Sequence, residues 1–249
     1  MTKKQNIVAI IPARYGSTRL PGKPLINLAG KPMIQRVVEQ VRKATLVDRV
    51  IVATDDGRII DAVKRFGGEA VMTPSDVRSG SDRVALVARD LPEAEIVVNV
   101  QGDEPLIEPA MVDEAIRPLV DDRSIDVGTL VKRIDNAEDL ANPGIVKVVM
   151  DRRGFALYFS RSPIPFRRNG STPEACYKHI GVYVFRREFL PTFASLSETP
   201  LENAEKLEQL RILEHGYRIK ATVTLFDSIP VDTEDDVKTI VAKLERIHA

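Results

Sequence analysis

The sequence contains no tryptophan, one cysteine (Cys176) and three histidines among 249 residues. A single thiol excludes an internal disulfide framework and a cysteine-rich zinc site, and so few histidines argue against a His-built metal centre. No apolar run approaches the ~18 residues of a membrane span. The opening Met1-Thr2-Lys3-Lys4-Gln5-Asn6 has no signal-peptide apolar core, so the expectation is a cytoplasmic protein with no membrane partner. With 36 basic and 36 acidic residues and a net charge of zero, nothing pulls the whole chain toward nucleic acid. One further absence is local. The first 38 residues carry no Asp or Glu, yet they hold Lys3, Lys4, Arg14, Arg19, Lys23, Lys31 and Arg36. The bland reading is a buried strand followed by a solvated loop, and the sharper one is a local anion site.

What is present describes an ordinary globular chain, 43% hydrophobic and 29% charged. About 70% of the surface of a chain this long can be buried, enough for a full core. The unbroken apolar run from Asn6 to Ala13 suits a strand covered on both faces, and Pro12 must lie at its end. Pro32 opens a helix whose Met33, Ile34, Val37, Val38 and Val41 form one stripe. Strand and helix then alternate, with strands at 49–54, 69–72 and 96–100, and a polar loop from Thr73 to Arg83 before a helix. This order predicts an α/β, doubly wound, mostly parallel sheet. After residue 125 the rhythm changes to clustered strands at 126–131, 145–150, 155–159 and 178–185, with Asp151 to Gly154 as a hairpin turn. A helix is expected from about Asn203 to Gly216, a strand from Tyr217 to Leu225, and a last helix capped by Thr233 and Asp236. The reading is one domain, 1–249, with approximate lobes 1–125, 126–225 and 226–249.

The segment Ile11-Pro12-Ala13-Arg14-Tyr15-Gly16-Ser17-Thr18-Arg19-Leu20-Pro21-Gly22-Lys23-Pro24 is the most informative. It leaves a central strand, where open α/β sheets bind ligands. Gly16 and Gly22 let backbone N–H groups approach an anion, and Arg14, Arg19 and Lys23 supply cations with no carboxylate nearby. A triphosphate needs that environment. The spacing matches neither the Walker loop nor G-x-G-x-x-G. Asp103 follows the fourth strand and suits Mg²⁺, a hard cation that binds one or two carboxylates plus phosphate oxygens; by itself it reads equally as a turn residue. Glu104 is set aside because adjacent strand residues face opposite ways. Asp55-Asp56 reads as a turn, and Cys176 has no catalytic signature.

The segment from Pro12 to Leu25 resembles the signature of the 3-deoxy-manno-octulosonate (Kdo) cytidylyltransferase family. The resemblance continues, in family order, through Asn99-Val100-Gln101-Gly102-Asp103-Glu104-Pro105, Ala156-Leu157-Tyr158-Phe159-Ser160-Arg161, His179-Ile180-Gly181-Val182-Tyr183, Leu207-Glu208-Gln209-Leu210-Arg211 and Val231-Asp232-Thr233. It implies a nucleotidyltransferase-like fold whose second half serves sugar binding and dimerisation. It also implies transfer from CTP to a 3-deoxy-octulosonic acid, a homodimer, and a place in lipopolysaccharide synthesis.

By that resemblance Asp103 pairs with Asp232 to hold Mg²⁺, Lys23 is catalytic, and Arg14, Arg19 and Lys23 hold the triphosphate. Gln101, Arg161, His179, Tyr183, Glu208 and Gln209 grip the sugar acid. On their residues alone, Arg161 reads as a surface arginine, His179 and Tyr183 as one polar face of a strand, and Glu208 and Gln209 as the solvated side of an amphipathic helix. The resemblance gives the pyrimidine to Arg78, Ser79 and Gly80, in a loop where this chain departs from the family. Asp76-Val77-Arg78-Ser79-Gly80-Ser81-Asp82-Arg83 has Val77 in place of a common His and Ser81 in place of Thr. Two other readings stand beside transfer to Kdo: the same reaction on an 8-amino analogue, and a non-catalytic CTP-sensing module.

Overall fold

The computed structural model describes residues 5–16, 20–166, 168 and 176–248. In chain order the strands and helices are β1 Ile7–Ala13, β2 Asn27–Leu28, β3 Lys31–Pro32, α1 Met33–Val41, β4 Arg49–Thr54, α2 Gly57–Arg65, β5 Glu69–Met72, α3 Gly80–Arg89, β6 Ile96–Asn99 and α4 Pro109–Asp121. They continue as β7 Val127–Arg133, α5 Ala137–Ala141, β8 Lys147–Met150, β9 Ala156–Ser160, β10 Tyr177–Arg186, α6 Leu190–Ser195, α7 Pro200–Glu205, α8 Gln209–Glu214, β11 Ile219–Thr224 and α9 Glu234–His248. The chain forms two compact units, Met1–Asp113 with Ser228–Ala249, and Glu114–Asp227.

In the first unit β1 pairs in parallel with β4 on one side and β6 on the other, and β4 pairs in parallel with β5. The order β6-β1-β4-β5 therefore reverses direction at β1, the switch point of a doubly wound sheet, as the alternating sequence predicts. Ile7 to Ile11 are at most 3% exposed, as a strand covered on both faces requires. Helix α1 buries Met33, Ile34, Val37, Val38 and Val41. Its first residue is Met33, with Pro32 at the N-cap and paired to Asn27 in a short ribbon that the sequence pattern does not reveal. Asp56 caps α2 by accepting from the Arg58 N–H, in keeping with its expected turn.

The loop after β5 is shorter than expected. Ser79 takes an extended conformation and accepts from the Asp82 N–H, so α3 begins at Gly80 rather than beyond Arg83. Arg83 is then a helical residue with a fully buried side chain. It donates to Thr73 Oγ1 and, at 3.0 Å, to Asp55 Oδ2. Burial pulls the guanidinium pKa down and Asp55 partly restores it. Asp55→Asn keeps the shape but removes the compensating charge, so a loss of about 2 kcal/mol is expected in urea unfolding. A change below a few tenths would show that Thr73 alone suffices.

In the second unit β7 lies between β11, parallel, and β10, antiparallel, while β8 pairs antiparallel with β9 and with the start of β10. The expected hairpin joins β8 to β9. Asp151 Oδ1 accepts from the Arg153 and Phe155 N–H groups, and Gly154 has φ 74°. The β7–β10 register shifts between Ile180 and Tyr183, and the Thr129 hydroxyl donates to the Val182 carbonyl at 2.8 Å inside that bulge.

The helix expected over 203–216 is in fact two. A capping box between Thr199 and Glu202 starts α7, Lys206 has φ 54° and ends it, and α8 starts at Gln209. A left-handed residue cannot continue a right-handed helix. The buried Arg211 guanidinium bonds the Glu202 carboxylate at 2.8 Å and holds the two short helices together. Glu208 therefore stands at the N-cap position of α8, without a side-chain capping bond, and the buried Gln209 opens the helix, rather than both lying on a mid-helix solvated face. Among the described residues no helix is long and apolar enough to cross a membrane.

Candidate active site

The carboxyl ends of β1 and β6, on either side of the switch point, open into a cleft of about 320 Å³. Arg14 and Gly16 follow β1, Gln101, Gly102 and Asp103 follow β6, and Lys23 and Asp232 are among the other lining residues. Gly102 makes this approach possible, because a Cβ there would come within 2.9 Å of the Pro12 carbonyl oxygen. Gly22 does the same for the loop after β1. It has φ 67°, its N–H donates to the Tyr15 carbonyl, and a Cβ would press on the Tyr15 ring at 3.1 Å. The Arg58 guanidinium also lies over the Tyr15 ring, 3.4 Å from its centre. A 3₁₀ turn over Lys23–Leu25 then points the Lys23 side chain at the acids.

Lys23 Nζ donates to Asp103 Oδ2 at 2.6 Å and to Asp232 Oδ1 at 3.0 Å. These three residues lie 80 and 209 positions apart in sequence. Burial works against the Lys23 charge, but Asp103 and then Asp232 outweigh it, and the pKa stands above its usual 10.5. Two carboxylates that converge on one ammonium could also converge on a cation, and their hard oxygens are of the kind that binds Mg²⁺. No group of three His, Cys, Asp or Glu with metal-ligand placement occurs among the described residues. A metal here would take its other ligands from water and phosphate oxygens, as Mg²⁺ commonly does.

The other nucleotide candidates divide. Arg19 lies outside the described residues. Arg14 donates to the Val77 carbonyl. That bond uses the main chain, so the loss of a His side chain at 77 leaves it intact. Arg78 is exposed and lies beside Asp82. Ser79 is occupied as the α3 cap and also donates to Asp82 Oδ2 at 3.1 Å. A Cβ at Gly80 would meet the Pro12 ring at 3.4 Å and the Gln101 side chain at 3.9 Å. Gln101 donates to Asn99 Oδ1 at 3.3 Å, and the buried Asn99 amide donates to Ser81 at 3.4 Å. This relay employs the hydroxyl that Ser81 shares with the family's Thr.

The remaining sugar candidates belong to the second unit. Arg161 donates from Nε to the Glu205 carbonyl at 2.8 Å and from Nη1 to the Pro143 carbonyl at 3.1 Å. Its backbone N–H and the Ser160 hydroxyl both donate to the Glu205 carboxylate, at 2.9 and 2.6 Å. Burial would raise the Glu205 pKa, but these donors hold it below the ordinary value. Buried Lys147 donates to the carbonyls of Asn142, Ile145 and Arg161. Glu205 and Lys147 thus fix the Arg161 backbone, a role that motif spacing could not reveal.

His179 and Tyr183 do share a face, with ring centres 5.2 Å apart. His179 Nε2 is 3.0 Å from Thr129 Oγ1 and its ring meets Phe159 edge-on. Burial lowers the His179 pKa to about 4 and raises that of Tyr183 well above 10, with Glu208 adding to the latter. Between pH 6.5 and 4 the unfolded chain therefore binds a proton at His179 that the folded chain does not, and stability falls as pH falls through that window. His179→Gln should flatten this part of a urea-midpoint profile. An unchanged slope would assign the loss to other groups.

A family model described as Cytidylyltransferase matches residues 8–220, and the chain belongs to the cytidylyltransferase family. Within that class the similarity is narrower. The 3-deoxy-manno-octulosonate cytidylyltransferase of Geobacter metallireducens is 57% identical, covering 97% of this chain and 99% of its own. That of Geobacter sulfurreducens is 54% identical, covering 96% and 100%. A solved CMP:2-keto-3-deoxy-manno-octonic acid synthetase complexed with CTP superposes with a TM-score of 0.93 at 43% identity, over 98% of this chain and 100% of that one. The family resemblance seen in the motifs is thus borne out. A 4-diphosphocytidyl-2C-methyl-D-erythritol synthase from Anaerococcus prevotii, 17% identical with a TM-score of 0.66 over 98% of this chain and 100% of that one, shares the fold.

Proposed function

We propose that the chain transfers the cytidylyl group of CTP to 3-deoxy-manno-octulosonate, giving CMP-Kdo and pyrophosphate. The observation that carries the reading is the meeting of Lys23, Asp103 and Asp232 in the switch-point cleft, joined to the relatives' shared name. The anomeric hydroxyl of the sugar acid loses its proton to solvent and its oxygen bonds the α-phosphorus as the α–β bridging P–O bond breaks, and pyrophosphate leaves. Such transfers rest on positioning and charge neutralisation rather than covalent protein chemistry. Arg14, Arg19 and Lys23 hold the triphosphate, with Lys23 at the phosphoryl group being transferred. The loop at Arg78, Ser79 and Gly80 takes the pyrimidine. Asp103 and Asp232 would hold Mg²⁺, which when bound neutralises phosphate oxygens. Gln101, Arg161, His179, Tyr183, Glu208 and Gln209 bind the sugar acid; Arg161 suits its carboxylate, and neutral His179 and Tyr183 suit its hydroxyls. The family resemblance further supports a homodimer acting in lipopolysaccharide synthesis.

The test is pyrophosphate release on mixing the protein with CTP, Mg²⁺ and Kdo. Release that requires all three, with a higher kcat/KM for Kdo than for its 8-amino analogue, is expected. CTP binding without release in the presence of either acid would leave a nucleotide-sensing module instead.

A further inference from the structure

Next to Asp103 in sequence stands a second carboxylate, that of Glu104. Strand β6 ends at Asn99, so strand alternation does not decide where Glu104 points. Only 6% of Glu104 is exposed. Burying a carboxylate is costly unless a donor meets it, and the Ser228 hydroxyl donates to Glu104 Oε2 from 124 residues away. Ser228 is where the chain re-enters the first unit. Four residues later it delivers Asp232.

The segment between is fastened along its length. Val231 is fully buried in a cluster with Leu20, Leu28, Met33, Ile240 and Leu244, against which Ile229 and Leu106 also pack. The Val231 N–H donates to the Asp103 carbonyl at 2.9 Å. The Asp232 N–H donates to Asp236 Oδ2 at 2.9 Å. The turn 103–106 and the return segment 228–232 therefore run together, and the Ser228–Glu104 bond is the polar tie at the end where the segment enters.

We infer that Glu104 and Ser228 form a latch that sets the spacing of the Asp103 and Asp232 carboxylates, making both of them positioning residues for the metal pair. The inference rests on the metal-binding role proposed above for Asp103 and Asp232. A latch of this kind acts through its hydrogen bond rather than through the Glu104 charge. Ser228→Ala should therefore weaken the metal site, whereas Glu104→Gln, whose amide oxygen still accepts from Ser228, should keep it.

The experiment titrates Mn²⁺ into wild type, Ser228→Ala and Glu104→Gln in the presence of CTP and without sugar acid, reading free Mn²⁺ by electron paramagnetic resonance. Thermal melting is recorded alongside. Expected is a five- to tenfold weaker Mn²⁺ affinity for Ser228→Ala with a Tm lowered by only a few degrees, as loss of one buried hydrogen bond implies, and an affinity within twofold of wild type for Glu104→Gln. Ser228→Ala binding as tightly as wild type overturns the latch. So does Glu104→Gln weakening the site as much as Ser228→Ala, which would make the effect one of charge. Absence of Mn²⁺ binding by all three overturns it as well. Because the readout is metal binding, it stands apart from turnover. A wild-type protein that binds Mn²⁺ through this latch yet releases no pyrophosphate would refute the proposed reaction and leave the latch in place.

Discussion

Lys23→Ala is expected to lower kcat for pyrophosphate release by ~10²–10³-fold, the usual effect of deleting one group that stabilises developing transition-state charge in a preorganised site. The geometry makes the effect specific to the chemical step. Lys23 Nζ lies between two carboxylates at 2.6 and 3.0 Å, so deleting it takes away the ammonium without removing either proposed metal ligand. The Mg²⁺ concentration for half-maximal rate should therefore not rise. Lys23→Arg should rescue little, since a planar guanidinium cannot reproduce a compact ammonium shared between two acids. The raised pKa of Lys23 keeps it charged throughout neutral pH, so it should leave no ionisation in the rate profile between pH 6 and 9. A Lys23→Ala protein with near-normal kcat would remove Lys23 from the reaction.

Asp103→Asn and Asp232→Asn should each cost ~10³-fold in Mg²⁺-dependent turnover, because a metal's neutralisation of phosphate charge contributes several kcal/mol. Asparagine keeps an oxygen able to accept from Lys23, so the fold should survive. The Val231–Asp103 bond, being main-chain, is untouched by either change. Melting temperatures within a few degrees of wild type, together with lost turnover, are the expected combination. Unaltered Mg²⁺ dependence in either variant would count against ligation by that residue. The two losses should also be strongly non-additive, since either substitution alone dismantles a shared site.

Much of this arrangement is legible in the sequence. The run from Asn6 to Ala13 announced a strand buried on both faces, and its exit loop, lacking acids and rich in glycine and cations, announced an anion site at its carboxyl end. Both followed from local chemistry. The pairing of Asp103 with Asp232 came from the resemblance alone, because no property of residues 129 positions apart states that they meet; Val231 burial and the Ser228–Glu104 tie bring them together. Local pattern also misled. Leu207, Leu210 and Arg211 kept a helical rhythm through a break that depends on Lys206 taking a left-handed conformation, stabilised by the buried Glu202–Arg211 pair. The Thr73–Arg83 stretch read as loop because it is polar, yet Ser79 supplies an N-cap and the buried Arg83 finds Asp55. Glu205 and Lys147 were silent, as was Glu104. Glu205 and Glu104 meet partners 44 and 124 residues away, and Lys147 acts on main-chain carbonyls that no side-chain motif records.

The most direct measurement is a crystal structure of the protein with CTP and Mn²⁺, using the anomalous signal to find the metal. Mn²⁺ is expected between the carboxylates of Asp103 and Asp232, with the triphosphate in the switch-point cleft against Arg14 and Lys23. Metal bound elsewhere, or phosphates seated away from that cleft, would contradict this expectation.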